Sequence, residues 1–268
     1  MNSTSYHLRR HIRSVFAVAA ATAAFLFLFS VARANSQPQP SRTPVLVELF
    51  TSEGCSDCPP ADALLARLDS GQFVLGAEAI VLSEHVTYWN HLGWSDPFSF
   101  DAMDERQTNY ARRFGLDSVY TPQIVVDGAA QLVGSDSGAL RSAVARAAST
   151  PKPALIIRNA HRATDGSVSF SVQAAADSKV NLVAALAENA TRSEVARGEN
   201  AGRTLRHVAV VRVLKEFGSE AVDGRPLKLS GANLLQTVKD GEPIRLVVFL
   251  VDRSSGHVVA VAEQTLSQ

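Results

Sequence analysis

The sequence predicts an α/β domain over residues 45–149 followed by an all-β, sandwich-like domain over 150–268, and three observations predict it. Between Val45 and Ala148, apolar runs of strand length alternate with stretches whose apolar residues recur at helical intervals. Ser149-Thr-Pro-Lys-Pro153 then breaks the pattern and reads as a short stiff linker. Beyond it, short strands of period two follow one another, separated by glycine-containing turns.

The elements follow in order. Val45 to Phe50 is an apolar run ending in the turn-forming Thr51-Ser-Glu-Gly54, which reads as a buried strand. Cys55-Ser-Asp-Cys58-Pro-Pro60 leads into Ala61, Leu64, Leu65 and Leu68 at helical spacing, with the prolines in the first turn, where no backbone N–H is missed. The C-x-x-C therefore sits at a helix N-terminus. A crossover of this length makes a second strand at Ala79 to Ser83 parallel to the first and brings its C-terminal end beside the cysteines. A polar-aromatic loop with His85, Tyr88, Trp89, His91, Trp94 and Asp96 leads to a helix from about Met103 to Phe114. Thr121-Pro122 precedes a hairpin of Gln123 to Val126 and Ala129 to Val133, turned at Asp127-Gly128, and a helix from Ser137 to Ala148 completes β-α-β-α-β-β-α. That order predicts a thioredoxin-like N-terminal domain. In the second domain Val168 to Val172 and Val208 to Leu214 alternate with period two, and Ile244 to Val251 with Val258 to Ala262 reads as a closing hairpin. The glycine-dense stretch Gly198 to Arg203, with His207, reads as a long turn between strands, with docking on the first domain as the alternative.

The first 34 residues carry Arg9, Arg10 and Arg13, an apolar run from Val15 to Val31, and the small-x-small triplet Ala32-Arg33-Ala34. They read as a secretory signal peptide, followed by a flexible Pro/Ser/Gln-rich spacer over 35–44, so a periplasmic or secreted protein with no stable membrane span is expected. The chain holds 26 basic and 26 acidic residues, and four of the arginines fall in the leader with no acid, so the remainder carries 22 against 26, a net of −4. A nucleic-acid or anionic-membrane surface is therefore not indicated, and no nucleic-acid partner is expected.

Only two cysteines exist, both in one C-x-x-C. A thiol at a helix N-terminus has its thiolate stabilised by unpaired N–H groups and the helix dipole, which suits Cys55 as nucleophile and Cys58 as resolving thiol. An inert staple is the plain alternative, but so short a loop constrains the unfolded chain by only ~2 kcal/mol. Glu53 and Asp57 add negative charge that opposes the helix effect, pointing to a centre that is not strongly oxidising. Thr121 and Pro122 fall where the fold would hold a cis-proline against the dithiol and present a substrate segment. Asp57, His85, Trp89 and His91 are accessory candidates. No cofactor is expected; as an alternative, Cys55, Cys58, His85 and His91 form a donor set for zinc or copper.

The segments Glu48 to Asp62, Tyr88-Trp89 with Leu92 to Pro97, Val119 to Gly128, and Gly198-Glu-Asn200 with Gly202-Arg203 together resemble an exported bacterial thioredoxin-like family catalogued as domain of unknown function 1223. The resemblance implies a thioredoxin-like N-terminal domain with a β-rich extension and no settled activity. It also implies Ser-Ser between the cysteines, from which Asp57 departs, and that dipeptide tunes redox potential. The expected function is thiol-disulfide exchange, an enzyme activity, on protein thiols or disulfides with a redox partner; a metal-binding module and a redox-silent scaffold are the alternatives.

Overall fold

Strand β1 (Thr43–Thr51) has Glu48 as its one charged residue, and a run this apolar is stable only where both faces of its sheet are covered. The computed structural model describes residues 42–175, 179–230 and 242–267, and β1 lies at the centre of their core. The signal-peptide and most of the spacer expectations fall on residues 1–41, outside the described ones. Helix α1 (Pro59–Gly71) carries prolines in its first turn and crosses to β2 (Ala77–His85), which pairs with β1 in parallel. Helix α2 (Asp101–Phe114) has acids in its first turn and arginines in its last, matching its dipole. Strand β3 (Gln123–Val126) pairs antiparallel with β1, β4 (Ala130–Val133) pairs antiparallel with β3, and α3 (Ser137–Ala148) is capped by the Asp136 carboxylate accepting from the Ala139 N–H at 2.9 Å.

The remaining strands are β5 (Leu155–Arg162), β6 (Val168–Ala174), β7 (Val180–Glu194), β8 (Thr204–Phe217), β9 (Leu227–Leu229), β10 (Ile244–Asp252) and β11 (Val258–Leu266). They do not form a separate all-β unit. The largest sheet has eight strands in the order β11-β10-β7-β8-β2-β1-β3-β4, and only β5, β6 and β9 make a second sheet. This overturns the expected fold class of a thioredoxin-like domain followed by an all-β sandwich-like domain: the described residues fold around one large mixed sheet.

The physical reason lies in β7 and β10. Leu182, Ala184, Leu186, Leu246 and Val248 face the three-stranded sheet, while Val183, Ala185, Ala187, Val247 and Phe249 join the core that contains β1. Strands buried on both faces belong in the interior of a sheet, and β8 carries that sheet on to β2 through the parallel pair Ser83 and Val210. The sheet also curls, so that at its far end Val258 donates its N–H to the Asp127 carbonyl of the β3–β4 turn at 2.8 Å.

Side chains tie the two halves of the sequence together. Lys152 of the expected linker donates to Asp127 Oδ2 at 2.6 Å and to the Pro44 carbonyl at 2.7 Å. Arg245 on β10 grips Asp69 near the end of α1 through two bonds of 2.6 and 2.8 Å, the bidentate arrangement that a guanidinium favours. Among the described residues no helix is long and apolar enough to cross a membrane.

Candidate functional site

The turn after β1 is tightened by the Cys55 N–H donating to the Ser52 carbonyl and the Cys58 N–H donating to the Cys55 carbonyl. Cys58 then caps α1, its carbonyl accepting from the Ala61 and Asp62 N–H groups at 2.9 and 3.1 Å. Cys55 and Cys58 are joined in a disulfide with their Cα atoms 5.4 Å apart. The bond is closed off from water: the two cysteines are 1% and 0% exposed, whereas Ser56 and Asp57 between them are exposed.

Residues 198–203, the turn between β7 and β8, supply the cover. The buried Asn200 donates from Nδ2 to the Glu53 and Cys55 carbonyls, both at 2.9 Å, and its own Oδ1 accepts from Arg203. The Glu199 carboxylate accepts from the Ser56 N–H at 3.0 Å, which holds its pKa below the ordinary value. Gly198 lies at φ +79, and a Cβ there would stand 3.1 Å from Trp94 Cβ, so this close approach requires glycine.

Glu53 and Asp62, which flank the two cysteines in sequence, belong to a buried charge network built from both halves of the chain. Glu53 accepts from Trp94 Nε1 at 2.8 Å and Ser193 Oγ at 3.1 Å, and its Oε1 stands 3.2 Å from His207 Nε2. His207 Nδ1 faces Asp62 Oδ1 at 3.6 Å, long for a hydrogen bond but short enough for an ion pair. Asp62 also accepts from Thr51 Oγ1 at 2.9 Å. Burial disfavours the charged imidazole, but Asp62 and Glu53 outweigh it and push the His207 pKa up to about 10. The side chain is thus an imidazolium at neutral pH, its ring 4.6 Å from that of His85.

His85 Nδ1 lies 2.7 Å from Asp96 Oδ2, which also accepts from the Glu53 N–H at 2.8 Å. Burial raises the Asp96 pKa, yet His85 and the backbone donors of Glu53 and Phe98 overcome it and hold the group below its ordinary value. An ionised carboxylate only accepts, so Nδ1 carries the His85 proton, leaving Nε2 to share a bond with Ser83 Oγ at 3.3 Å.

Of the residues singled out from the sequence, Cys55 and Cys58 come together, and Thr121-Pro122 is a cis peptide. Thr121 Oγ1 accepts from Trp89 Nε1 at 2.8 Å, and Gly134 leaves room between Pro122 and Ala61 in the first turn of α1. Asp57 is exposed, and His91 is exposed in a short 3-10 turn, Asn90–Leu92. The alternative metal set does not assemble: His85 turns both nitrogens to Asp96 and Ser83, and no group of three or more His, Cys, Asp or Glu among the described residues could hold a metal ion. Sequence reasoning does not place Asn200, Glu199, Asp62 or His207 among the site residues, but its alternative for Gly198 to Arg203 with His207, docking on the first domain, is the one that the contacts to Glu53, Cys55 and Ser56 support. The signal was present in the polar, glycine-rich 198–203 stretch, which is far richer in hydrogen-bonding groups than a simple turn requires.

A second buried cluster lies on the other side of β1. Tyr110 donates to Glu48 Oε2 at 2.6 Å, Arg106 Nε donates to Glu48 Oε1 at 2.6 Å, and Arg106 Nε stands 3.5 Å from Glu84 Oε1. Burial first, and Glu48 second, push the Glu84 pKa well up. A cavity of about 260 Å³ opens beside Arg106 and Tyr110, lined also by Glu105, Arg113 and Glu216.

Solved structures similar to this chain include two that cover most of it. A crystal structure of protein AGR_C_4864 from Agrobacterium tumefaciens is 25% identical, with a TM-score of 0.61 over 85% of this chain and 96% of that one. HBP35 of Porphyromonas gingivalis shares the fold, with 14% identity and a TM-score of 0.51 over 85% of this chain and 77% of that one. No curated protein matches. The stretch from β1 to β10, which contains the disulfide, its cover and the buried charge network, coincides with the match of one family model to residues 46–250, and the chain belongs to that family, described as Protein of unknown function (DUF1223).

Proposed function

We propose that this protein is a thiol-disulfide oxidoreductase acting on protein thiols or disulfides in an extracytoplasmic, oxidising compartment. One observation carries the reading: the chain's only two cysteines form a disulfide at the N-terminus of α1, and the carboxylates on either side of them in sequence, Glu53 and Asp62, meet at the buried imidazolium of His207. Helix N-termini favour thiolate, and a bridge closing so short a loop contributes little chain entropy as a staple. The cationic, apolar and small-residue segments of residues 1–34 support export.

In the direction that starts from the disulfide, a substrate thiolate attacks Cys55 Sγ. A bond forms between the substrate sulfur and Cys55, the Cys55–Cys58 bond breaks, and its electron pair leaves on Cys58 as a thiolate. A second substrate thiolate then attacks the first substrate sulfur, which releases Cys55; the substrate dithiol becomes a disulfide and the protein's disulfide a dithiol. With Cys55 and Cys58 this closed, attack requires residues 198–203 to lift first. Thr121 and Pro122, near the first turn of α1, are proposed to seat the incoming segment.

The test is the midpoint potential of the pair by thiol trapping across a glutathione series, with Cys58→Ala used to capture mixed disulfides. A midpoint of roughly −120 to −270 mV with captured partners supports exchange. A midpoint below roughly −300 mV with nothing captured overturns it in favour of a structural bridge.

A further inference from the structure

We infer that His207 and Asp62 form a charge pair that sets the acidity of the Cys58 thiol, making both of them positioning residues for the exchange step. The inference rests on the exchange reading for its function but on geometry for its existence. Asp62 stands four residues after Cys58, with its N–H donating to the Cys58 carbonyl. Side chains so spaced on a helix lie one above the other, about 5–6 Å apart at Cβ. Asp62 is therefore the charged side chain on α1 that lies one turn along the same face as the departing sulfur, and it is buried. His207 reaches Asp62 from β8, across the sheet, at 3.6 Å.

The groups facing this pair come from every neighbouring element. Glu53, in the turn after β1, holds His207 Nε2; His85 on β2 stacks edge-on against the His207 ring; Asp96, in the loop before α2, holds His85. Within the trio of Glu53, Asp62 and His207, two carboxylates stand against one imidazolium. Neutralising His207 leaves Asp62 uncompensated, so its negative charge bears fully on a thiolate forming one turn above. Neutralising Asp62 leaves the imidazolium facing that thiolate through less opposing charge. The two substitutions thus push the thiol in opposite directions, which mere loosening of the structure does not do.

The experiment uses the full chain in a Cys55→Ser background, where Cys58 is the only thiol, and follows thiolate absorbance against pH. His207→Gln is expected to lower the thiolate fraction at a fixed pH below the thiol pKa by about tenfold, and Asp62→Asn to raise it by about tenfold, one pKa unit each way. Shifts in the same direction, or none in variants that keep the native circular dichroism, overturn the pairing. Because the titration needs no turnover, it stands or falls apart from the midpoint potential: a wild-type pair below about −300 mV removes the exchange reading while the opposed shifts remain.

Discussion

Replacing His207 by glutamine removes one buried positive charge while keeping a donor toward Glu53, and it is expected to change the pH dependence of stability in a defined way. An unfolded histidine titrates near 6.5, and in the folded protein Asp62 and Glu53 carry His207 to about 10. Between those values the native state holds one proton more than the unfolded state, so unfolding free energy falls as pH rises, by about 1.4 kcal/mol per pH unit. The contribution is complete below pH 6.5 and is lost as pH passes through about 10. Across that window the shift corresponds to on the order of 4–5 kcal/mol, and the 3.6 Å separation from Asp62, short of a full hydrogen bond, favours the lower end. Urea unfolding of oxidised wild type and His207→Gln at pH 6, 8 and 10 measures it. The wild type is expected to be the more stable at pH 6, with the gap narrowing steadily and closing near pH 10. A gap that stays constant with pH would refute an imidazolium at this position.

Asn200→Ala removes the donor shared by the Glu53 and Cys55 carbonyls, and is expected to speed reduction of the disulfide by dithiothreitol about tenfold, in line with 1–2 kcal/mol of lost cover; an unchanged rate would show that the cover does not limit access. Glu84→Gln is expected to stabilise the protein by about 1 kcal/mol or more at pH 7 and by nothing at pH 4. The sign follows from a folded-state pKa raised by burial and by Glu48: stability present below about 4.5 is lost as pH rises, and urea midpoints at the two pH values check it. Arg245→Ala breaks the bidentate grip on Asp69 and is expected to cost about 2–3 kcal/mol, whereas a loss under about 0.5 kcal/mol in urea unfolding would mark it as a screened surface pair.

Local pattern was readable in the sequence wherever it followed from the chain's own period. The prolines after Cys58, the apolar spacing of Ala61, Leu64, Leu65 and Leu68, and the Asp127-Gly128 turn each produced the element they implied. What the pattern did not carry was the pairing of β2 with β8, because the neighbour of an edge is chosen by shape and burial far along the chain. Ile244 to Leu250 hinted at it: a strand without polar alternation needs cover on both faces, which a two-layer sandwich open to solvent does not give. The same long-range pairing explains why the cysteines were legible and the site was not. Cys55 and Cys58 announce themselves by spacing, but His207 and Asn200 matter only because β8 and the turn before it come to lie against the first helix. In sequence they are a histidine in a strand and an asparagine in a turn.

The cover also carries a timing. Asn200 follows Cys55 by 145 residues, and a chain grows at about 5–20 residues per second. For a chain that folds from its N-terminal end as it is made, roughly 7–30 s separate the emergence of the two thiols from that of the turn that hides them. During that interval the thiols are open to any oxidant, and after it they are open only when the turn lifts. The state in which the cover first closes over them, bonded or reduced, is therefore decided by the surroundings the young chain meets, and every later change of state waits on the turn.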